Sequence, residues 1–117
     1  MSLNLRIALD AMGGDDAPEI VIDGASLARE RHPDLQLTLI GDSAKISELT
    51  KKYKNLSDVK IIHADDMVAA DEKPSQALRH GKKTSMWLAV NEVALDNADA
   101  IISAGNTGAL MAISKLQ

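Results

Sequence analysis

Four short aliphatic runs alternate with stretches of helical periodicity, and this alternation constrains the fold more than any other feature of the chain. The runs are Leu5-Arg6-Ile7-Ala8-Leu9, Leu35-Gln36-Leu37-Thr38-Leu39-Ile40, Val59-Lys60-Ile61-Ile62 and Ala100-Ile101-Ile102-Ser103. Each is too short for a helix and is bounded by Gly, Asp or Pro, so each reads as a strand. Between them, Ile20, Gly24, Leu27 and Ala28 recur at helical spacing, as do Ile46, Leu49 and Tyr53, and Met86, Val90, Val93 and Ala94. A helix is expected from about Ser75, interrupted at Gly81, and a last one from about Asn106. Strict strand–helix alternation predicts a mainly parallel sheet with helices on both faces, a three-layer α/β/α unit. The core must be aliphatic, because one Trp, one Tyr and no Phe occur in 117 residues. Residues 1–117 read as a single α/β domain. The leader Met1-Ser2-Leu3 carries no weight in that reading. The last helix meets no Gly stop before Gln117, which predicts a longer natural chain.

Three turns bear on chemistry. The first is Leu9-Asp10-Ala11-Met12-Gly13-Gly14-Asp15-Asp16-Ala17-Pro18, between a strand and a helix, where open α/β sheets bind ligands. Its glycines permit close backbone approach. Its carboxylates would repel a phosphate, so Asp10 and Asp15 are expected to orient other groups. A tight turn in which Asp15 or Asp16 caps the helix at Pro18 is the competing reading. The second is Ser103-Ala104-Gly105-Asn106-Thr107-Gly108-Ala109, whose side chains are small and uncharged. Its hydroxyls, amide and exposed backbone N–H groups suit an anion. A helix cap by Asn106 or Thr107 suits the same residues equally well. The third is Arg79-His80-Gly81-Lys82-Lys83-Thr84-Ser85-Met86. Arg79 and Lys82 offer positive charge to a phosphate, while a solvated basic turn is the simpler reading for Lys82 and Lys83. Thr84 and Ser85 are candidate caps.

Several classes are excluded or unsupported. The net charge of −4 and the lack of a basic face argue against nucleic acid. Without Cys there is no disulfide, thiolate metal site or cysteine nucleophile, and the composition fits the cytoplasm. His32, His63 and His80 lack metal-ligand spacing and read as non-catalytic, His32 and His63 as surface residues. No dinucleotide G-x-G-x-x-G and no Walker lysine occur, so neither a metal nor a cofactor is expected. No apolar run reaches membrane-span length, and no signal peptide is evident.

Ala8-Leu9-Asp10-Ala11-Met12-Gly13-Gly14-Asp15 with Ala17-Pro18, Pro74-Ser75-Gln76-Ala77-Leu78-Arg79 with Ser85-Met86, and Ser103-Ala104-Gly105-Asn106-Thr107-Gly108-Ala109-Leu110-Met111 together resemble the PlsX phosphate acyltransferase family. Order and spacing agree across nearly the whole chain. The resemblance implies an enzyme that moves a fatty acyl group from acyl carrier protein to inorganic phosphate, giving acyl phosphate for phospholipid synthesis. It implies a fold like that of isocitrate and isopropylmalate dehydrogenases, a homodimer, and a cytoplasmic protein that associates peripherally with the membrane. With this, the Ser103–Gly108 turn leans toward anion binding. Asp10, Asp15 and Asn106 become the catalytic candidates. Ser103, Gly105, Thr107, Gly108, Arg79 and Lys82 become the phosphate or oxyanion candidates. Asp16 stands where many members have another residue, often His, and Thr84 stands where many have Ser. Members are considerably longer, so this chain corresponds to their N-terminal part and the fold is incomplete in it. A related phosphate acetyltransferase or dehydrogenase, or a fragment without activity of its own, are the alternatives.

Overall fold

The computed structural model describes residues 5–69 and 71–116, with the side chains of His80 and Leu116 outside the description. Met1-Ser2-Leu3, the expected leader, and Gln117 lie outside the described residues. Strands β1 (Arg6–Asp10), β2 (Gln36–Gly41), β3 (Lys60–His63) and β4 (Ala100–Ile102) form one sheet in the order β3-β2-β1-β4. Every pairing is parallel. The first three strands sit one residue later than their aliphatic runs suggest. In β1 this shift matters, because Asp10 becomes the last strand residue, in register with Ile40.

Side-chain alternation sorts the sheet into two buried faces. Ile7, Leu9, Leu37 and Leu39 point to one face, where they pack with Ile22 and Ala25 of α1 (Glu19–Arg31) and Ile46 of α2 (Ser43–Thr50). Leu56, in a short 3₁₀ turn (Lys54–Leu56), completes this cluster. Ala8 and Ile40 point to the other face, against Ala89 of α4 (Ser85–Ala94). Helices α3 (Pro74–His80) and α5 (Thr107–Leu116) pack beside α4 through Ala77, Met86, Val90, Ala109 and Ile113. These are the three layers and the parallel sheet that alternation predicts.

The chain runs β1-α1-β2-α2-β3 toward one edge with both helices on one face. It then crosses beneath through α4 to place β4 on the other side of β1. Strand order therefore reverses between β1 and β4. At such a reversal the loops leaving the carboxyl ends of the two strands diverge and leave a crevice.

The helix starts agree with the sequence in part. Asp42 caps α2 by accepting from the Ala44 and Lys45 amides, and Thr84 caps α4 by accepting from the Trp87 amide. The expected break at Gly81 is a 3₁₀ turn (Gly81–Lys83). Asp15 and Asp16 do not cap α1. A run of turns carries the chain as far as Pro18, which takes the cap position with no side-chain hydrogen bond. Asp16 contributes only its carbonyl, to the Ile20 amide. The α1 stripe also differs. Ile22 and Ala25 face the sheet, whereas Ile20 and Leu27 are 58% and 51% exposed.

At the amino-terminal end of the sheet, Arg6 donates to both carboxylate oxygens of Asp99 and to Asp96. These bonds hold the Asp99 carboxyl below its ordinary value. Arg29 does the same to Asp58. A folded-state value below the unfolded one gives stability that is present above about pH 4 and lost as pH falls through the folded value. Asp99→Asn is therefore expected to lower stability at neutral pH and to make the acid loss of stability shallower. Urea midpoints measured from pH 7 to pH 3 check this.

Candidate functional site

The crevice predicted by the strand reversal is present. A cleft of about 640 Å³ opens between the two loops, lined by Met12, Gly14 and Asp15 on one side and by Ala104, Gly105, Asn106, Thr107 and Gly108 on the other. Met67 and Val68, from the loop after β3, complete its lining. A polar cavity of about 500 Å³ lies at the opposite end of the sheet, around Arg6, Arg29 and Lys60. Both of its guanidinium groups are already paired with Asp side chains, so these two cations serve the fold.

Asp10 organises the cleft from beneath. Its carboxylate is 3% exposed. One oxygen accepts from the Ser85 hydroxyl at 2.6 Å and from the Met12 amide at 3.1 Å; the other accepts from the Ser103 hydroxyl at 2.9 Å. A buried carboxylate demands such donors, because desolvation without them is costly. The three donors come from the start of α4, the first loop and the end of β4, so one side chain ties three chain segments together. The chain of bonds continues, since the Ser103 oxygen accepts from the Gly105 amide at 3.2 Å.

The two loops approach closely because Gly13 has no side chain. A Cβ there would stand 2.9 Å from both the Gly105 amide nitrogen and the Ser103 hydroxyl oxygen. The next residue, Gly14, has φ of +101°, a conformation that L side chains rarely adopt. The double glycine of the first motif therefore serves loop contact and loop direction at once.

Asn106 is held on all sides. Its Oδ1 accepts from the Ala109 amide at 3.0 Å, which makes it the cap of α5. Its Nδ2 donates to the carbonyls of Ala69 and Glu72, tying the loop before α3 to the cleft. The sequence left a cap and an anion cradle equally open. The geometry gives the side chain of Asn106 to the cap and the amide of Gly105 to Ser103. The amides of Thr107 and Gly108, in the first turn of α5, make no hydrogen bond among the described residues. An oriented pair of free helix-start N–H groups on a cleft wall is suited to an anionic oxygen.

The expected site residues divide accordingly. Asp15, Gly105, Asn106, Thr107 and Gly108 line the cleft, with Asp10 and Ser103 supporting it from below. Arg79 and Lys82 do not line it. Arg79 is exposed on α3, and the Lys82 ammonium lies 5.9 Å from the centre of the Trp87 ring. Pro74 and Met86 stand against Gly108 and Gly105, but Arg79 and Lys82 are themselves exposed. Ser85 is the group that sequence reading underused. It looked like a cap, yet Thr84 caps and Ser85 reaches Asp10. The pairing of Asp66 with Thr84 between the β3 loop and the α4 start brings it there, and no local pattern encodes that contact. Among the described residues there is no group of three or more His, Asp or Glu that would hold a metal, and no helix long and apolar enough to cross a membrane.

Removing the Asp10 carboxylate strands two hydroxyls and an amide. Asp10→Ala is expected to destabilise the chain by about 3 kcal/mol or more, since bonds to a charged group contribute roughly 1.5–3 kcal/mol each. In a double-mutant cycle measured by denaturant unfolding, Asp10→Ala and Ser85→Ala should couple by at least about 1 kcal/mol. Additive effects would remove the Asp10–Ser85 tie from the account.

The family model for the fatty acid synthesis protein matches residues 5–117. A phosphate acyltransferase of Azorhizobium caulinodans is 53% identical, over 99% of this chain and 33% of its own length. That of Xanthobacter autotrophicus is 52% identical over 97% of this chain and 33% of its own length. The phosphate acyltransferase of Rhodospirillum rubrum is 50% identical over 99% of this chain and 34% of its own. The chain thus spans about a third of the length of the curated relatives it matches. With the family model matched from the first strand through the last helix, the chain belongs to the fatty acid synthesis protein family.

Proposed function

We propose that the chain forms the phosphate-binding wall of an acyltransferase that moves a fatty acyl group from acyl carrier protein to inorganic phosphate. The observation that carries this reading is the meeting of two strand-end loops at the reversal point, with the free Thr107 and Gly108 amides on the cleft wall. The relatives named phosphate acyltransferase support the reaction class.

In the proposed reaction a phosphate oxygen attacks the thioester carbonyl carbon. A new C–O bond forms, the C–S bond breaks, and the electron pair leaves on sulfur, which takes up a proton. No covalent enzyme intermediate is needed. The work left to the protein is placement and charge stabilisation. The Thr107 and Gly108 amides and the Thr107 hydroxyl would hold phosphate oxygens. Asp15, exposed at the rim, would accept a hydrogen bond from a protonated phosphate oxygen and so orient it. Asn106, Ser103 and Asp10 would act by positioning, because their polar groups are engaged with the protein. Among the described residues the lining carries no Lys or Arg, and positive charge would come from elsewhere in the complete enzyme. A homodimer in the cytoplasm, associating with the inner face of the membrane and feeding phospholipid synthesis, is part of the same proposal.

The test uses the chain joined to the sequence that follows its aligned region in the Azorhizobium caulinodans relative. This protein should release acyl phosphate from acyl-[acyl carrier protein] and inorganic phosphate. Asn106→Ala should slow the reaction by about 10²-fold, the scale expected for misplaced reacting groups. Wild-type rates in that variant would remove Asn106 from the site. Turnover of acetyl-coenzyme A in place of the carrier-bound acyl group would favour a phosphate acetyltransferase.

A further inference from the structure

Helix α1 is apolar on more of its circumference than the sheet covers. Ile22 and Ala25 are buried against Leu9 and Leu37, as one face of an amphipathic helix should be. A second stripe, Ile20, Gly24 and Leu27, is exposed. Together with Ile102 of β4, which is 54% exposed, Ile20 and Gly24 border an almost wholly apolar groove of about 420 Å³. It runs over the β1–β4 side of the sheet and reaches Asp10 and Ala104 beside the cleft.

Gly24 is the informative residue. It lies inside a helix, where glycine is unfavourable, and its φ is ordinary. A Cβ there would meet nothing within 4 Å. Nothing among the described residues therefore requires a glycine. A bare patch at Gly24, with Ala28 one turn on, lets another backbone come close, as tight helix crossings need. The sheet has an unfilled place on the same side, since β4 pairs only with β1 among the described residues. Exposed parallel edges and uncovered apolar faces are normally filled by further strands and helices of the same fold.

We infer that this groove seats a helix from the part of the polypeptide that relatives carry outside the region matched here, crossing α1 at Gly24. The relatives hold about two thirds of their length in that part. One further α/β unit would cover the groove and extend the sheet beyond β4 together. The inference does not depend on the reaction proposed above.

The test co-expresses the affinity-tagged chain with the untagged complementary part of the Azorhizobium caulinodans relative. Capture at one-to-one stoichiometry is expected. Gly24→Gln should leave the melting temperature of the isolated chain unchanged or raised, because the new side chain meets open space. It should cut capture at least tenfold. Ile20→Gln, a change at an exposed position, should also reduce capture without unfolding the chain. Wild-type capture by both variants would overturn the inference, as would no capture by the unaltered chain. So would a self-associated dimer, seen by sedimentation, that Gly24→Gln dissociates, because a second copy would then be the occupant.

Discussion

A single buried carboxylate holds the functional end of this molecule together. Asp10 ends the central strand and draws Ser85, Ser103 and the Met12 amide onto its two oxygens. Each of these belongs to a different segment, and Ser103 and Met12 lie beyond the β1–β4 pairing, which stops at Leu9 and Ile102. Without the carboxylate, the loops after β1 and β4 would have Gly13 against Gly105 as their main contact. Burying such a group is unfavourable unless its acceptors are satisfied, and here the satisfaction comes from long-range partners. That makes the arrangement cooperative, since the carboxylate and its donors order one another.

From this anchor the cleft follows. Ser103 is turned so that its oxygen takes the Gly105 amide, which fixes the loop leading into α5. Asn106 then caps α5 and reaches across to the carbonyls of Ala69 and Glu72. The helix begins at the cleft wall with its next two amides available. A polar network that spends its side chains on fixing the backbone, and offers the backbone to a ligand, suits a substrate as symmetric and heavily hydrated as phosphate. It places N–H groups in advance rather than relying on mobile side chains.

Much of this was legible in the sequence. Aliphatic runs and helical spacing gave the strand and helix order and the parallel three-layer arrangement. Position after a strand marked both glycine-containing turns as cleft loops. Thr84 was readable as a cap because capping is local. The unreadable part is long-range. Asp10 looked like one of several loop carboxylates, and its shift into the strand, with burial, depends on register with β2. Ser85 reaches Asp10 through the pairing of Asp66 with Thr84, which no spacing rule predicts. The α1 stripe was visible as a stripe. Which of two apolar faces meets the sheet depends on how the turn after Gly14 sets the helix, and here Ile22 rather than Ile20 is inside. Arg79 and Lys82 carried the right charge near the right motif, yet both are exposed and neither lines the cleft.

The Asp10 carboxylate sets the backbone of the second loop through Ser103. Residue-resolved amide hydrogen exchange tests it directly, comparing the unaltered chain with Asp10→Asn. The Gly105 and Met12 amides should be protected in the unaltered chain and lose protection together in the variant. The Ala109 amide, held by Asn106, should keep most of its protection. Undiminished protection at Gly105 in Asp10→Asn would contradict the account, because the loop would then be fixed without the carboxylate.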